Sequence, residues 1–544
     1  MTPVDPSREM HPTRWGDPAR AAALPDSAQG LVDLAFGHQD RASADPTAEA
    51  VILPPVRLDD EALDAVRTML GAEHVLTDAT TRRLRTRGKS TPDLLKARMG
   101  WFEEAPDAVV RPADADEVAT VLAWATEHRV AVVPFGGGTS VTGGLVADLA
   151  PGGPGTHLVA AVSLDLGRMR RLLAVDPVSM TATLEPGLRG PEAEALLGAH
   201  GLTLGHFPQS FEHATIGGFA ATRSSGQASA GYGRFDSLVV GLTAVTPTGP
   251  LTLGVAPASA AGPDLRQLVL GSEGTLGVIT SVTVRVRRRP EARVYEGWRW
   301  SSFTAGTEAV RRLVQAGLAP TVLRLSDEAE TGLNLADPAA VGAASDGDGG
   351  PCLMVVGHEG STEAVEARGA AVTTMLHRLA EELGGAPAGP APGERWAHGR
   401  FDAPYLRDSL LDAGVLVETL ETATFWSGVP RLHEVVREAL TEALGEGTLV
   451  LCHVSHVYET GASLYFTVAC RQGPDPLTQW HVAKQRATSA IVAAGGTVTH
   501  HHAVGRDHKP WLEQEIGSVG VAALRAVKAA LDPAGILNPG VLVP

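Results

Sequence analysis

The chain has 544 residues, 44% of them hydrophobic and 20% charged, enough for two or three domains with large cores. Its net charge of −17 argues against nucleic acid as a partner, because neutralising phosphates takes Lys and Arg in excess. Three widely spaced cysteines rule out a CxxC motif or a disulfide framework, and no run approaches the roughly 18 apolar residues that span a membrane.

Residues 1–50, rich in Pro, Ala and Asp, read as an irregular arm. They lack the basic and apolar regions of a signal peptide, and the terminal Val541–Pro544 is no peroxisomal address. A reduced, cytoplasmic protein is expected; with no amphipathic anchor in view, peripheral membrane association stays open. Asp114 to Glu117 resembles a capping box before Val118, Val121, Leu122 and Ala125 at helical spacing. Val130–Val133 reads as a strand ending at Pro134. Leu158–Leu164 and Thr181–Leu184 read as strands, followed by a helix from Pro191, and Val239–Thr246 and Val278–Val286 as further strands. Asp337–Pro351 and Gly384–Gly393 read as linkers on either side of a helical Ser361–Leu383. The alternation predicts an α+β chain with no internal repeat.

Two biases carry chemistry. Lys and Arg total 45, of which only Lys89, Lys96, Lys484, Lys509 and Lys528 are lysines. The stretch between Lys96 and Lys484 therefore has no Walker, kinase or Schiff-base lysine. Glycine, at 61 residues, exceeds the typical ~7%. It gathers in Pro134-Phe135-Gly136-Gly137-Gly138-Thr139-Ser140 and its continuation to Leu145, in Gln209–Gly218, in Thr222–Gly226 and in Gly271–Ile279. Consecutive glycines let backbone N–H groups form an anion nest, and the Thr139 and Ser140 hydroxyls add donors. A Rossmann fingerprint begun at Gly136 meets Val141 at its last position. A Walker loop begun at Gly138 meets Gly144 where Lys is required. One such loop is only a tight turn; four point to a long, phosphate-bearing cofactor.

These segments, in this order, resemble the FAD-binding domain of the vanillyl-alcohol-oxidase (PCMH-type) superfamily. The resemblance runs from about residue 85 to the end. It implies a two-subdomain FAD-binding domain over 85–288, preceded by an arm and helical region over 1–84. An α/β cap with an antiparallel sheet is implied over 289–485, and a segment returning to the flavin over 486–544. FAD is expected to be non-covalent, since the first loop carries no His or Cys. The implied cofactor contacts are Pro134 to Ser140, Gln209, Ser210, Glu212, Ala214, Thr215, Gly218, Thr222, Arg223, Ser224 and Ser225, then Glu273, Gly274, Thr275, Leu276, Gly277, Val278 and Ile279. Arg223 suits a flavin contact and an ion pair equally.

The C-terminal third narrows the match. His500-His501-His502, the segment from Tyr458 through Gly461 and Ala462 to Tyr465-Phe466, and Tyr405-Leu406-Arg407-Asp408 are similar to the alkyldihydroxyacetonephosphate synthase family. That family exchanges the acyl group of acyl-dihydroxyacetone phosphate for a long-chain alkoxy group through a flavin N5 adduct, in ether lipid synthesis. The resemblance makes Tyr465 the proton-relaying tyrosine, with His500, His501 and His502 tuning it and the alcohol. Arg407 and Arg324 become substrate-contacting arginines. By pattern alone Tyr465, in an alternating apolar run, is a core tyrosine. Related flavin-dependent 2-hydroxyacid dehydrogenases carry metal ligands where His456, Tyr465 and His501 stand here, and the changed residue types speak against that reading. His453, His456 and His500–His502 offer imidazoles, but their spacing favours no tetrahedral set, and no metal is expected. A FAD-linked oxidase or dehydrogenase of a 2-hydroxy acid or alcohol is the alternative, and a non-catalytic flavin-binding protein the second. The expected partners are a small-molecule or lipid substrate and, as a homodimer, a second copy of the chain.

Overall fold

The Asp114 carboxylate accepts the amides of Asp116 and Glu117 and so starts the helix Ala115–His128, whose buried face is Val118, Val121, Leu122 and Ala125. The helix ends in left-handed Arg129 and feeds directly into a strand. The structure, a computed structural model, describes residues 9–17, 20, 24, 26–37, 45–47, 50–333 and 351–544.

Strands β1 (Val75–Leu76), β2 (Ala108–Val110), β3 (Val130–Phe135) and β4 (Ala160–Asp165) form a sheet of order β1-β2-β4-β3, with β2, β4 and β3 parallel. The expected strand end at Pro134 is passed by one residue. Because β3 is the last strand of its sheet, the missing proline N–H breaks no ladder there. Strands β5 (Leu172–Asp176), β6 (Thr181–Leu184), β8 (Val239–Thr246), β9 (Gly249–Leu253) and β10 (Val278–Arg285) form an antiparallel sheet of order β5-β6-β10-β8-β9. A short ribbon joins β7 (Leu202–Thr203) to β11 (Arg287–Arg288).

The remaining strands are β12 (Ala292–Trp300), β13 (Val322–Ser326), β14 (Cys352–Gly360), β15 (Gly385–Gly389), β16 (Val415–Phe425), β17 (Leu449–Val457) and β18 (Gly461–Arg471). They make one antiparallel sheet of order β15-β12-β14-β13-β17-β18-β16. Helices Phe303–Gln315, Thr362–Leu383, Val429–Leu444 and Pro476–Ala493 close its apolar face over Trp298, Trp300, Leu325, Met354, Phe466 and Trp480. Here one expectation is corrected: Gly384–Gly393 is no linker but β15 and the start of the helix Ala391–Gly399. Its small residues fit under a tryptophan, since a Cβ on Gly385 would lie 2.8 Å from the Trp300 ring. All of 337–351 except Pro351 lies outside the described residues. Within the arm, a helix spans Asp26–Phe36.

After the helix Lys509–Leu531 the chain comes back to the first sheet. Val132 donates to the Ile536 carbonyl at 2.8 Å, and Asn538 donates to the Val132 carbonyl at 2.9 Å.

Candidate active site

The first glycine loop is pressed onto the second. A Cβ on Gly136 would lie 2.3 Å from Thr215 Oγ1, and one on Gly137 only 2.1 Å from the His213 carbonyl oxygen. Gly138 has φ +68°, which favours glycine. Gly136, Gly137 and Gly138 line a cavity with Arg85, Arg87, Lys89 and Arg189. Arg87 Nε and Nη1 are buried there with no hydrogen-bond partner among the described residues, and burial pushes the Lys89 ammonium down to about 8. A side-chain-free loop facing buried, unpaired guanidinium N–H groups fits the diphosphate of FAD. Lys89 and the arginines beside it were not among the expected contacts.

The other expected cofactor contacts divide. Gly274 holds its loop against the ring of Pro134, and Phe135 packs under Gly138. The Ser140 carbonyl accepts from the Lys89 amide at 2.7 Å. Thr215 caps the helix Ile216–Thr222 through the Gly218 amide, and the Ala214 carbonyl accepts from Gly190. Ser224 Oγ lies 3.1 Å from His206 Nε2, and Ser225 Oγ 3.1 Å from His456 Nδ1. Gln209 Nε2 is buried without a partner among the described residues. Ser210 and Thr222 bond within their own turns. The side chains of Leu276, Val278 and Ile279 are buried. Three charged residues are spent elsewhere. Arg223 pairs with Asp236 at 3.2 Å and donates to the Leu270 and Gln267 carbonyls, the ion-pair role. Glu212 pairs with Arg20 at 2.6 Å. Glu273 accepts the amides of Val504 and Gly505, and burial raises its carboxyl to about 7.

Tyr465, His453 and Glu421 form one row across three strands, since Tyr465 pairs in register with Glu421 of β16 and with His453 of β17. The ring of His453 stacks on Tyr465 at 5.0 Å, and His501 stacks on it at 6.1 Å. His502 meets Tyr465 edge-on at 5.6 Å. The three histidines are held by one carboxylate. Glu421 accepts the amides of His500 at 2.7 Å, His501 at 3.1 Å and His502 at 2.9 Å, and the Thr499 hydroxyl at 2.5 Å. Thr142 of the first glycine loop donates to the His502 carbonyl at 3.2 Å, tying this turn to the cofactor cradle.

Burial dominates the electrostatics. It raises the Tyr465 phenol to about 12, with Glu418 and Glu421 adding to the shift and Thr419 opposing it. It drives His500 well below the ordinary imidazole value, His502 down to about 3 and His501 in the same direction. All three are neutral near pH 7. Arg407 donates from Nη1 to the Lys89 carbonyl at 2.7 Å, while its Nε and Nη2 are buried without a partner among the described residues. Arg324 is engaged by Glu330 and by the ring nitrogens of His453 at 3.0 and 3.1 Å. Among the described residues its link to Tyr465 runs through His453. Glu330, held well below the usual carboxylate range by His453 and Arg324 against the cost of burial, was missed from sequence, as were Glu421 and Tyr458. Two glutamates, Glu418 and Glu421, stand in the strand Val415–Phe425, and only the fold shows that Glu421 is the one that holds the histidine turn.

This glycine cradle, beside an antiparallel-sheet cap that bears a tyrosine and a histidine turn, defines an FAD-dependent enzyme of the PCMH-type fold. Residues 106–253 match the family described as FAD binding domain, and 289–542 the one described as FAD linked oxidases, C-terminal domain. The alkyldihydroxyacetonephosphate synthase of Dictyostelium discoideum is 32% identical over 91% of this chain and 83% of its own. That of Trypanosoma brucei brucei is 32% identical over 90% and 82%. A solved alkyldihydroxyacetonephosphate synthase structure superposes with a TM-score of 0.81 at 28% identity, covering 99% of this chain and 98% of the other. The chain belongs to the alkyldihydroxyacetonephosphate synthase family.

Proposed function

We propose that this protein replaces the acyl group of acyl-dihydroxyacetone phosphate with a long-chain alkoxy group, releasing the fatty acid. The observation that carries this reading is Arg407. Two of its donors are buried without a partner among the described residues, and its charge acts on the Tyr465 hydroxyl. An unpaired guanidinium edge beside a proton-handling cluster suits a phosphorylated substrate whose reacting carbon lies a few bonds from the phosphate.

In this reading Arg407 fixes the phosphate and Tyr465 relays the proton at C1. The neutral imidazoles of His500–His502 orient the incoming alcohol and tune Tyr465. Arg324 orients His453 against the Tyr465 ring. Residues 134–140 and 274–279, with Arg87 and Lys89, hold the flavin. The flavin supplies the centre at which C1 exchanges its oxygen substituent, and it finishes in its starting oxidation state. The chain's own groups therefore have protons to move and no electrons to pass on. A lipid substrate also supports peripheral contact with a membrane surface by a cytoplasmic protein, which vesicle co-sedimentation checks. The reading includes a homodimer, for which ultracentrifugation is the check. No helix among the described residues is long and apolar enough to cross a membrane.

The test mixes the yellow protein anaerobically with labelled fatty acid and acyl-dihydroxyacetone phosphate. Exchange of label without an electron acceptor, with the flavin absorbance restored at the end, is expected. Lasting bleaching by a 2-hydroxy acid or alcohol, reversed by an acceptor, would instead establish an oxidase or dehydrogenase.

A further inference from the structure

The imidazoles at the centre of the site are arranged for more than proton transfer. His456, on β17, comes up to the histidine turn: its ring stacks on His500 at 5.1 Å and meets His501 edge-on at 5.1 Å. Each of His456, His500 and His501 offers a ring nitrogen within 4.8 Å of those of the other two. His500 Nδ1 and His501 Nδ1 are already 3.1 Å apart. Two nitrogens on a tetrahedral ion at ~2.0–2.1 Å lie about 3.4 Å from each other, so the His500–His501 spacing already suits one edge of the tetrahedron.

The nitrogens turned away from the cluster are fixed. Ser229 Oγ lies 2.6 Å and Ser225 Oγ 3.1 Å from His456 Nδ1, which leaves its Nε2 for the cluster. Tyr458 OH lies 2.6 Å from His500 Nε2, which leaves Nδ1. Such partners on the outer nitrogen are what orient a metal-binding imidazole. Glu421 Oε2, 3.5 Å from His501 Nδ1, places a buried negative charge beside the trio while its oxygens are occupied by backbone amides.

We propose that His456, His500 and His501 form a binding site for one borderline divalent cation, Zn²⁺ by preference, with the fourth corner open to a water or hydroxyl oxygen. An all-imidazole donor set with no carboxylate ligand disfavours Mg²⁺ and Ca²⁺. The site shares His500 and His501 with the groups that serve the incoming alcohol in the transfer reading, so the two readings are tested apart: metal binding by titration and spectrum, transfer by label exchange.

The FAD-loaded protein, stripped with a chelator and dialysed, is titrated with Zn²⁺ and with Co²⁺. One equivalent per chain is expected, with the intense visible bands of tetrahedral Co²⁺. His456→Gln should weaken Zn²⁺ binding by more than about 100-fold. Ser229→Ala, which frees only the outer nitrogen of His456, should weaken it about 10-fold, and this second variant keeps the test open should the first fail to fold. His481→Gln, at an exposed histidine paired with Gln485, should leave binding unchanged. No binding by the wild type, the weak spectrum of octahedral Co²⁺, or full affinity in both site variants overturns the proposal.

Discussion

Tyr465 shows how far a single residue is set by its row. Its strand neighbours Leu464 and Phe466 are fully buried core, and only the cross-strand partners Glu421 and His453 make its position chemical. With the phenol raised to about 12, Tyr465 is protonated at neutral pH, and the proposed reading gives it the substrate's proton to relay. Tyr465→Phe should lower turnover by about 10²-fold or more while flavin absorbance per chain is unchanged. Turnover within a factor of two of wild type would remove its role. Glu273 is the opposite case, a buried carboxyl that braces a loop. Its folded value of about 7 lies above the 4.5 of an ordinary glutamate, so the stability it contributes is complete below pH 4.5 and is lost as pH rises toward 7. Glu273→Gln removes that dependence. Relative to wild type, the variant should gain up to ~3 kcal/mol in denaturant titrations between pH 5 and pH 8. A difference that stays flat across this range would show that Glu273 titrates normally.

At the scale of elements, patterning was legible wherever apolar residues set it. Val239–Thr246 is a strand over those same residues, and the helix expected over Ser361–Leu383 starts at Thr362 with Ser361 as its cap. Gly384–Gly393 was not legible, because a strand of Gly, Ala and Pro has no apolar rhythm. What fixes it is the Trp300 ring on the neighbouring strand. The glycine loops were legible as close-approach turns but not as partners of each other. That Gly137 lies against the His213 carbonyl follows only from the fold. Gly137→Ala would drive a methyl into that carbonyl, where backbone must shift. The variant should purify with less than about a tenth of the wild-type flavin-to-protein ratio, read from visible and ultraviolet absorbance. A full complement of flavin would mean that the two loops can part at little cost.

Across the whole molecule, the candidate site is built from segments that local sequence cannot pair. Glu421 grips a turn 79 residues later through its His500 amide, and Arg324 and Glu330 meet His453 more than 120 residues on. The returning C-terminal segment does the same for the cradle. Asn538, 1% exposed, donates its side-chain amide to the Gly144 carbonyl at 2.9 Å and the Glu273 carbonyl at 2.8 Å, while its backbone bonds β3. It thereby joins the first glycine loop, the last glycine loop and the chain end. Its φ of +41° is a conformation that Asn tolerates better than Ala. Asn538→Ala loses two buried hydrogen bonds, leaves two carbonyls unpaired and adds backbone strain, for about 2–4 kcal/mol in all. Urea titration of the holoprotein should show that loss in its first transition, with flavin released at the same denaturant concentration. A cost below about 0.5 kcal/mol, or flavin retained after that transition, would mean that the cradle holds together without the C-terminal segment.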